Sequence, residues 1–485
     1  MNGTSIKLGR VPLRVVQVVV LALVVLKFAQ LSLAGVFQDE AYYWMWGQHP
    51  ALSYFDHPPL NAWFLGLSST LFGWSRWALR LPVALSFLAD LYAIYLISRR
   101  LAGAQWHTHF WVTSLLFVVT PMFWLVSGLA LPDHLLLTMC LFALCFCIGF
   151  FTDRARGERG ADLDLYLAAL FLGLAGLAKY NAAFLAVGVA LYVLVAHRPL
   201  LREARLWLAV ALTLVLQVPV IIWNATEGFA SWEFILHGRH AGLRASYDGF
   251  VGLAFGIVIL ISPFLFWPII KFAAGKNHIP GTGFARLTFG ISSVAILIVS
   301  FSTLVLFHWN LVAYAAMLPF LAFVFRPRWL LVGQGLWGIA FAVLAFVNYA
   351  VMPLTDVRGW RDEATGWSYG WEPTAAAVEA ARAAHKIGFI AAPDYTTASL
   401  LGFALKDRDV TSLSPNRDEF DYWFDPAAHA GEDAILFDDD WRPMSGSVTG
   451  QFASVTPIAT LPVIVFGRQV DTHRIYLATG YRPDG

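Results

Sequence analysis

Between its first and second long apolar runs the chain carries Gln38-Asp39-Glu40-Ala41-Tyr42-Tyr43-Trp44-Met45-Trp46, then Ser53-Tyr54-Phe55-Asp56-His57-Pro58-Pro59-Leu60. Carboxylates and a histidine thus stand among aromatics at the edge of a bilayer-length segment. Taking charge out of water there is costly, so acidic pairs at such a place serve a substrate, an ion or a proton. A carboxylate pair beside an aromatic membrane surface suits chemistry on a lipid-linked substrate. Blander roles compete. Asp39 before Ala-Tyr-Tyr-Trp is a good helix N-cap, and Glu40 in a first turn suits the helix dipole. A cap alone does not call for two adjacent carboxylates near a second acidic cluster. Tyr54, Asp56 and His57 form that cluster. Asp56 could again be only a cap, while His57 beside it offers a titratable nitrogen for a phosphate or a divalent metal.

Other charged residues stand at the ends of apolar runs. Asp133 lies in Leu131-Pro132-Asp133-His134, in a very short connection between two spans, where a functional carboxylate and a helix cap fit equally well. Lys179 follows Gly173-Leu-Ala-Gly-Leu-Ala and needs a partner, for which a lipid phosphate or the membrane interface would serve. The stretch from Trp232 to His240 offers His237 and Arg239, and an arginine there holds a phosphate by charge-assisted bonds or touches headgroups. His308-Trp309 is similar and less specific. Asn224-Ala-Thr matches a glycosylation sequon by pattern only.

The elements that must position these residues follow from composition. The 485 residues are 58% hydrophobic and 13% charged, with a mean hydropathy of +0.62. A soluble chain carries about 25% charged residues, so this is an integral membrane protein. The net charge of +1 comes without a basic cluster or stacking motif, which argues against nucleic acid. Cys140, Cys145 and Cys147 share one apolar run and read as small packing residues. Bilayer-length runs recur at roughly 12–36, 78–98, 109–130, 134–151, 163–179, 182–197, 206–223, 249–270, 287–307, 311–325 and 329–350. The first is too long for a signal-peptide core and reads as a retained helix. Alternate loops are rich in lysine and arginine (Lys7, Arg10, Arg99, Arg100, Arg154, Arg198, Arg202). The others hold only Arg76, Arg80, Lys179, Arg239 and Arg244. That asymmetry puts the N-terminus in the cytoplasm, and the first loop and the tail outside.

After Tyr349 the apolar runs shorten to strand length and acidic residues prevail. Ala375 to Lys386 reads as a helix. Ile387–Ala391, Ala434–Phe437, Pro462–Phe466 and Arg474–Ala478 read as strands. The domains expected are 1–350, spanning the membrane with an external loop 37–77 of interfacial helices, and 351–485, a soluble α/β domain outside.

Together these residues resemble the polytopic C-superfamily (GT-C) glycosyltransferases that use polyprenyl-phosphate sugars. The similarity is to the bacterial branch of protein mannosyltransferases and of the aminoarabinose and galacturonic-acid transferases acting on lipid A or lipopolysaccharide core. Asp39-Glu40 is similar to that family's acidic pair in the first external loop. Tyr54-Phe55-Asp56-His57-Pro58-Pro59 is similar to its Tyr-Phe-acid-basic-Pro-Pro segment. Leu131-Pro132-Asp133 falls at a second acidic position, Lys179-Tyr180 at a lysine after the fifth span, and His308-Trp309 with Tyr314 and Pro319 at a His-Tyr…Leu-Pro stretch. His237 and Arg239 align only loosely. Some relatives carry glutamate and lysine where this chain has Asp56 and His57.

The resemblance implies about 11–13 transmembrane helices with an external C-terminal domain. It implies inverting transfer of a sugar from a polyprenyl phosphate to an acceptor hydroxyl of lipid A, lipopolysaccharide core or another envelope glycan, in a bacterial inner membrane. Asp39 would be the general base, with Glu40 or Asp56 positioning it or the acceptor. Tyr54, Asp56, His57, Asp133, Lys179, His237, Arg239 and His308 would contact substrates. A divalent metal at Asp56 and His237 stays open, and no nucleotide or organic cofactor is expected. Tyr42, Tyr43 and Trp44 would help wall the lipid donor. Two alternatives stand: a protein Ser/Thr acceptor, and a transporter or flippase using the same carboxylates for ions or protons. Against the second, the notable charges gather at one membrane face rather than at mid-membrane.

Overall fold

A computed structural model describes residues 6, 11–156, 161–236, 247–275, 279–325, 327–355 and 361–483. The helices α1 (Leu13–Leu33), α2 (Gln38–Gln48), α3 (Leu60–Phe72), α4 (Arg76–Ala102), α5 (Trp106–Val118), α6 (Pro121–Val126), α7 (Pro132–Arg156), α8 (Ala161–Ala178) and α9 (Ala183–Ala196) come first. Then come α10 (Ala204–Val215), α11 (Val218–Thr226), α12 (Ala230–Leu236), α13 (Asp248–Leu260), α14 (Phe266–Ala274), α15 (Thr282–Ser300), α16 (Leu311–Val324) and α17 (Arg328–Phe346). The C-terminal part holds α18 (Glu363–Gly366), α19 (Trp371–Ala384), β1 (Phe389–Ala392), α20 (Tyr395–Leu405), β2 (Thr411–Ser412), β3 (Ala434–Asp438), α21 (Gly446–Thr449), β4 (Phe452–Val465) and β5 (Arg468–Tyr481). This is a multi-pass helical membrane protein with a C-terminal α/β sheet domain.

Among the described residues, six helical stretches are long and apolar enough to cross a membrane, or eight if each of two bent pairs is one span. Proline marks both bends. The chain turns by 45° between α10 and α11, where Pro219 opens α11, and by 84° after α13, where Ser262 takes a positive φ before Pro263. Proline starts helices well and interrupts them badly, so each apolar run breaks there into two short helices.

The residues divide into two compact units. The first comprises 1–29, 57–60 and 83–343. Its centre is α16, every residue of which is buried, with α5, α7, α14 and α15 packed around it. A helix apolar on all sides belongs in such a position.

The second unit comprises 30–56, 61–82 and 344–485, so it joins the loop carrying Asp39 and Asp56 to the tail. Its sheet has the order β2-β1-β3-β5-β4, with β2, β1 and β3 parallel and β5 and β4 antiparallel additions. Phe389, Leu413, Leu436, Val448, Phe452 and Tyr481 form its core. The expected strands at 462–466 and 474–478 are the ends and middles of a much longer hairpin. β2, only two residues long, gives no sequence pattern to read.

Helix α2 departs from expectation. Its aromatic face is not open to its surroundings: Tyr42, Tyr43, Trp44, Met45 and Trp46 are all buried inside the protein. Tyr42 packs on Tyr395 at 4.5 Å between ring centroids, and Trp44 on Trp74 and Phe403, both at 5.7 Å. The C-terminal domain, rather than lipid, covers these aromatics. On another side α2 crosses α3 at contact between backbones. A Cβ on Gly47 would lie 2.7 Å from the Gly66 nitrogen, and one on Gly66 would lie 2.6 Å from the Gly47 oxygen. Backbone atoms on both sides leave nothing flexible to move aside. Gly47→Ala should therefore destabilise the fold by about 1–3 kcal/mol, as overpacking does, seen as a lowered thermal midpoint in detergent. An unchanged midpoint would mean the two helices separate without cost.

Candidate active site

The acidic pair splits into two unlike residues. Helix α2 begins at Gln38 with Phe37 as its cap, so Asp39 is in the first turn and is not the cap expected of it. Glu40 does the capping, its Oε2 accepting the Phe37 amide at 3.1 Å. Glu40 is wholly buried, and Arg80 holds both its oxygens, Nε to Oε1 at 3.1 Å and Nη2 to Oε2 at 2.7 Å. The rest of the Arg80 guanidinium donates to the carbonyls of Leu31, Ala34 and Gly35 at 3.2, 2.8 and 2.5 Å. Both charges are thus bonded on every side, which a buried ion pair requires. Asp39 stays half-buried.

The second motif is folded around its own tyrosine. Tyr54 is fully buried, its ring stacked on Trp46 at 4.7 Å, its hydroxyl 3.1 Å from the carbonyls of both Trp46 and His49. It holds the loop in shape. Tyr42 reaches the same loop, donating to Asp56 Oδ2 at 2.9 Å, and accepts the Glu419 amide at 3.0 Å. The Phe55 amide in turn donates to Glu419 Oε2 at 2.6 Å. Asp39 and Asp56 both act electrostatically on Tyr395, whose phenol burial and these charges push well above its ordinary value. Asp56 is thus bound by Tyr42, whose ring packs on Tyr395, and Asp39 lies within electrostatic reach of the same tyrosine.

In the first unit, Asp133 in the first turn of α7 and Lys179 just after α8 form a buried ion pair at 2.7 Å. The partner of Lys179 is thus a carboxylate, and the lysine does not reach outward. His308 lies within electrostatic reach of Asp133. Asn181 donates to the Trp309 carbonyl at 2.8 Å, tying the turn after Lys179 to the turn that carries His308. His57 is buried in this unit. His237 and Arg239 lie outside the described residues.

Sequence reasoning missed several groups. Arg80 stood out only as a cation against the charge bias. Lys27, wholly buried in α1, donates to the Trp124 carbonyl and sits 3.8 Å over that indole. A single lysine inside a span was its only signal. Tyr395, Asp418 and Glu419 gave none. As for a metal, no group of three His, Cys, Asp or Glu side chains able to hold one occurs among the described residues. Asp56 accepts the Tyr42 hydroxyl, and His237 lies outside the described residues.

Three comparisons place the chain among known proteins. Residues 56–223 match the family model described as dolichyl-phosphate-mannose-protein mannosyltransferase. The lipid A galacturonosyltransferase RgtD of Rhizobium johnstonii is 28% identical over 254 residues, which is 50% of this chain and 50% of that one. The chain thus matches half the length of that curated relative. Structures of ArnT from Cupriavidus metallidurans superpose with TM-scores of 0.61, bound to undecaprenyl phosphate, and 0.62, in the apo state. Their identities are 16% and 17%, over 96% of this chain and 97% of theirs. The chain shares the fold of these ArnT structures. The arabinofuranosyltransferase AftD from Mycobacteria shares that fold less closely, at a TM-score of 0.55 and 15% identity, over 99% of this chain and 40% of AftD.

This geometry makes two predictions. Glu40→Ala leaves Arg80 buried without its counter-ion and should cost about 3–5 kcal/mol, while Glu40→Gln, which keeps the acceptor oxygen, should cost less. Denaturation of the purified variants measures both, and equal stabilities would remove the charge from the explanation. The second concerns pH. Burial, then Asp421 and Asp56, pushes the Asp418 carboxyl up to about 8; burial, then Asp471, pushes Asp439 up to about 7. The folded chain holds these protons where an unfolded aspartate, at about 3.9, has lost them. The stability involved is full below about pH 4 and is lost as pH rises toward 7 and 8. The thermal midpoint should fall over that range, and Asp418→Asn should flatten the fall. A midpoint that climbs instead would contradict the assignment.

Proposed function

We propose that this chain moves a sugar from a polyprenyl phosphate to a hydroxyl of lipid A or another envelope glycolipid, at the external face of the inner membrane. The reading is supported by RgtD, a lipid A galacturonosyltransferase, and by ArnT, whose structure was solved with undecaprenyl phosphate. The observation that carries it is the division of labour inside the acidic pair. Glu40 is bound on both oxygens by Arg80 and builds the start of α2, while Asp39, in the same turn, is half-buried and stands outside that ion pair.

Asp39 is then the general base. It takes the proton of the acceptor hydroxyl as that oxygen attacks the anomeric carbon. The carbon–oxygen bond to phosphate breaks on the opposite face, its electron pair leaving with the phosphate, so configuration inverts. A phosphate leaving group needs little protonation, and one base is enough. Asp56, held by Tyr42, orients the acceptor. Within the first unit, Lys179, paired with Asp133, and His308 are the cationic side chains suited to a phosphate, an electrostatic role.

Asp39→Asn should lower transfer by about 100-fold or more with expression and donor binding retained. Mass spectrometry of lipopolysaccharide and glycolipids from cells lacking the gene, complemented by wild type or by the variant, reads this directly. A sugar-sized mass restored only by wild type supports the reading. Full restoration by Asp39→Asn removes Asp39 as the base. A mass change on protein instead of lipid moves the acceptor to Ser or Thr.

A further inference from the structure

We propose that Glu419, which the C-terminal domain contributes, is a positioning residue for Asp56, an inference that rests on the glycosyl-transfer reading. The residue grips the motif loop at two points. Its side chain accepts the amide of Phe55, the residue immediately before Asp56, at 2.6 Å. Its own amide donates to the Tyr42 hydroxyl at 3.0 Å, and that hydroxyl donates to Asp56 Oδ2 at 2.9 Å. A phenol has one proton to give. With the Glu419 N–H on its lone pair, that proton is directed to Asp56. One residue thereby sets both the backbone and the side chain of the same carboxylate.

The grip is buried and rigid. Glu419 is 1% exposed and Tyr42 3% exposed, so little water competes for these bonds. Glu419 opens a short 3-10 turn that is closed from both ends: Asp418 Oδ1 accepts the Phe420 amide at 2.9 Å, and Asp421 Oδ2 accepts the Asp418 amide at 2.8 Å. Phe420 stacks on the Tyr42 ring at 6.1 Å. The partners are 364 and 377 residues apart along the chain, so the C-terminal domain completes the motif loop rather than only lying beside it.

Steady-state kinetics of the purified protein, with a polyprenyl-phosphate sugar and lipid A, test this alongside hydrogen–deuterium exchange. Glu419→Ala should lower kcat about 10- to 100-fold, the effect of a displaced reacting group. Donor and acceptor KM should stay within about twofold. Glu419→Gln keeps an oxygen for the Phe55 amide and should restore most of kcat. Exchange in residues 50–60 should rise in the Ala variant and not in the Gln variant, while the β1–β5 sheet stays protected. Wild-type kcat in Glu419→Ala would overturn the proposal. So would a loss that Gln does not rescue and that comes with exchange throughout the sheet, since that is unfolding. If wild type transfers no sugar, the glycosyl-transfer reading fails, and exchange at 50–60 then decides whether the grip exists.

Discussion

A buried charge must be bonded on every side, and the start of α2 depends on one such charge. Arg80 cannot be left without partners at 3% exposure, so it gathers Glu40 and the last carbonyls around the end of α1. In doing so it fixes the end of α1, the start of α2 and the start of α4 against one another. The carbonyls it takes are those a helix C-terminus leaves without donors. Asp39 sits one residue from Glu40 in that turn, and its orientation follows from an ion pair it does not belong to.

The sheet of the C-terminal domain offers the complementary half. In sheets with parallel strands, ligands lie outside the carboxyl ends of those strands. Here Asp394 and Tyr395 follow β1, the Asp418–Tyr422 turn follows β2, and Asp439 with Arg442 follow β3. Tyr395 and Glu419, from the first two of these ends, are the residues that meet Tyr42. The motif loop is therefore bound by residues that follow the carboxyl ends of the parallel strands β1 and β2.

Much of this was legible in the sequence. The bilayer-length runs, the switch to strand-length runs after Tyr349 and the two acidic motifs all announce themselves through composition and spacing. The unlike fates of Asp39 and Glu40 did not, because adjacent carboxylates look alike until the cation that chooses one of them is placed. The aromatics of α2 were read as facing lipid for a related reason: lipid and a protein core are equally apolar, and no pattern in Tyr-Tyr-Trp-Met-Trp tells one cover from the other. The sequence asked for an anionic partner for Lys179 without naming one, and the structure supplies Asp133. Glu419 was invisible, its contact being one glutamate in an acidic domain, hundreds of residues from the loop it holds.

That separation also orders events in time. The loop with Phe55 and Tyr42 leaves the ribosome 364 and 377 residues ahead of Glu419. At about 5–20 residues per second, the interval is roughly 20–70 s. Throughout it the membrane helices can insert and pack while the acidic loop lacks its closing partner. The loop is thus closed last, after the membrane helices have been made, and a product cut short before Asp418 would lack the residue that closes it.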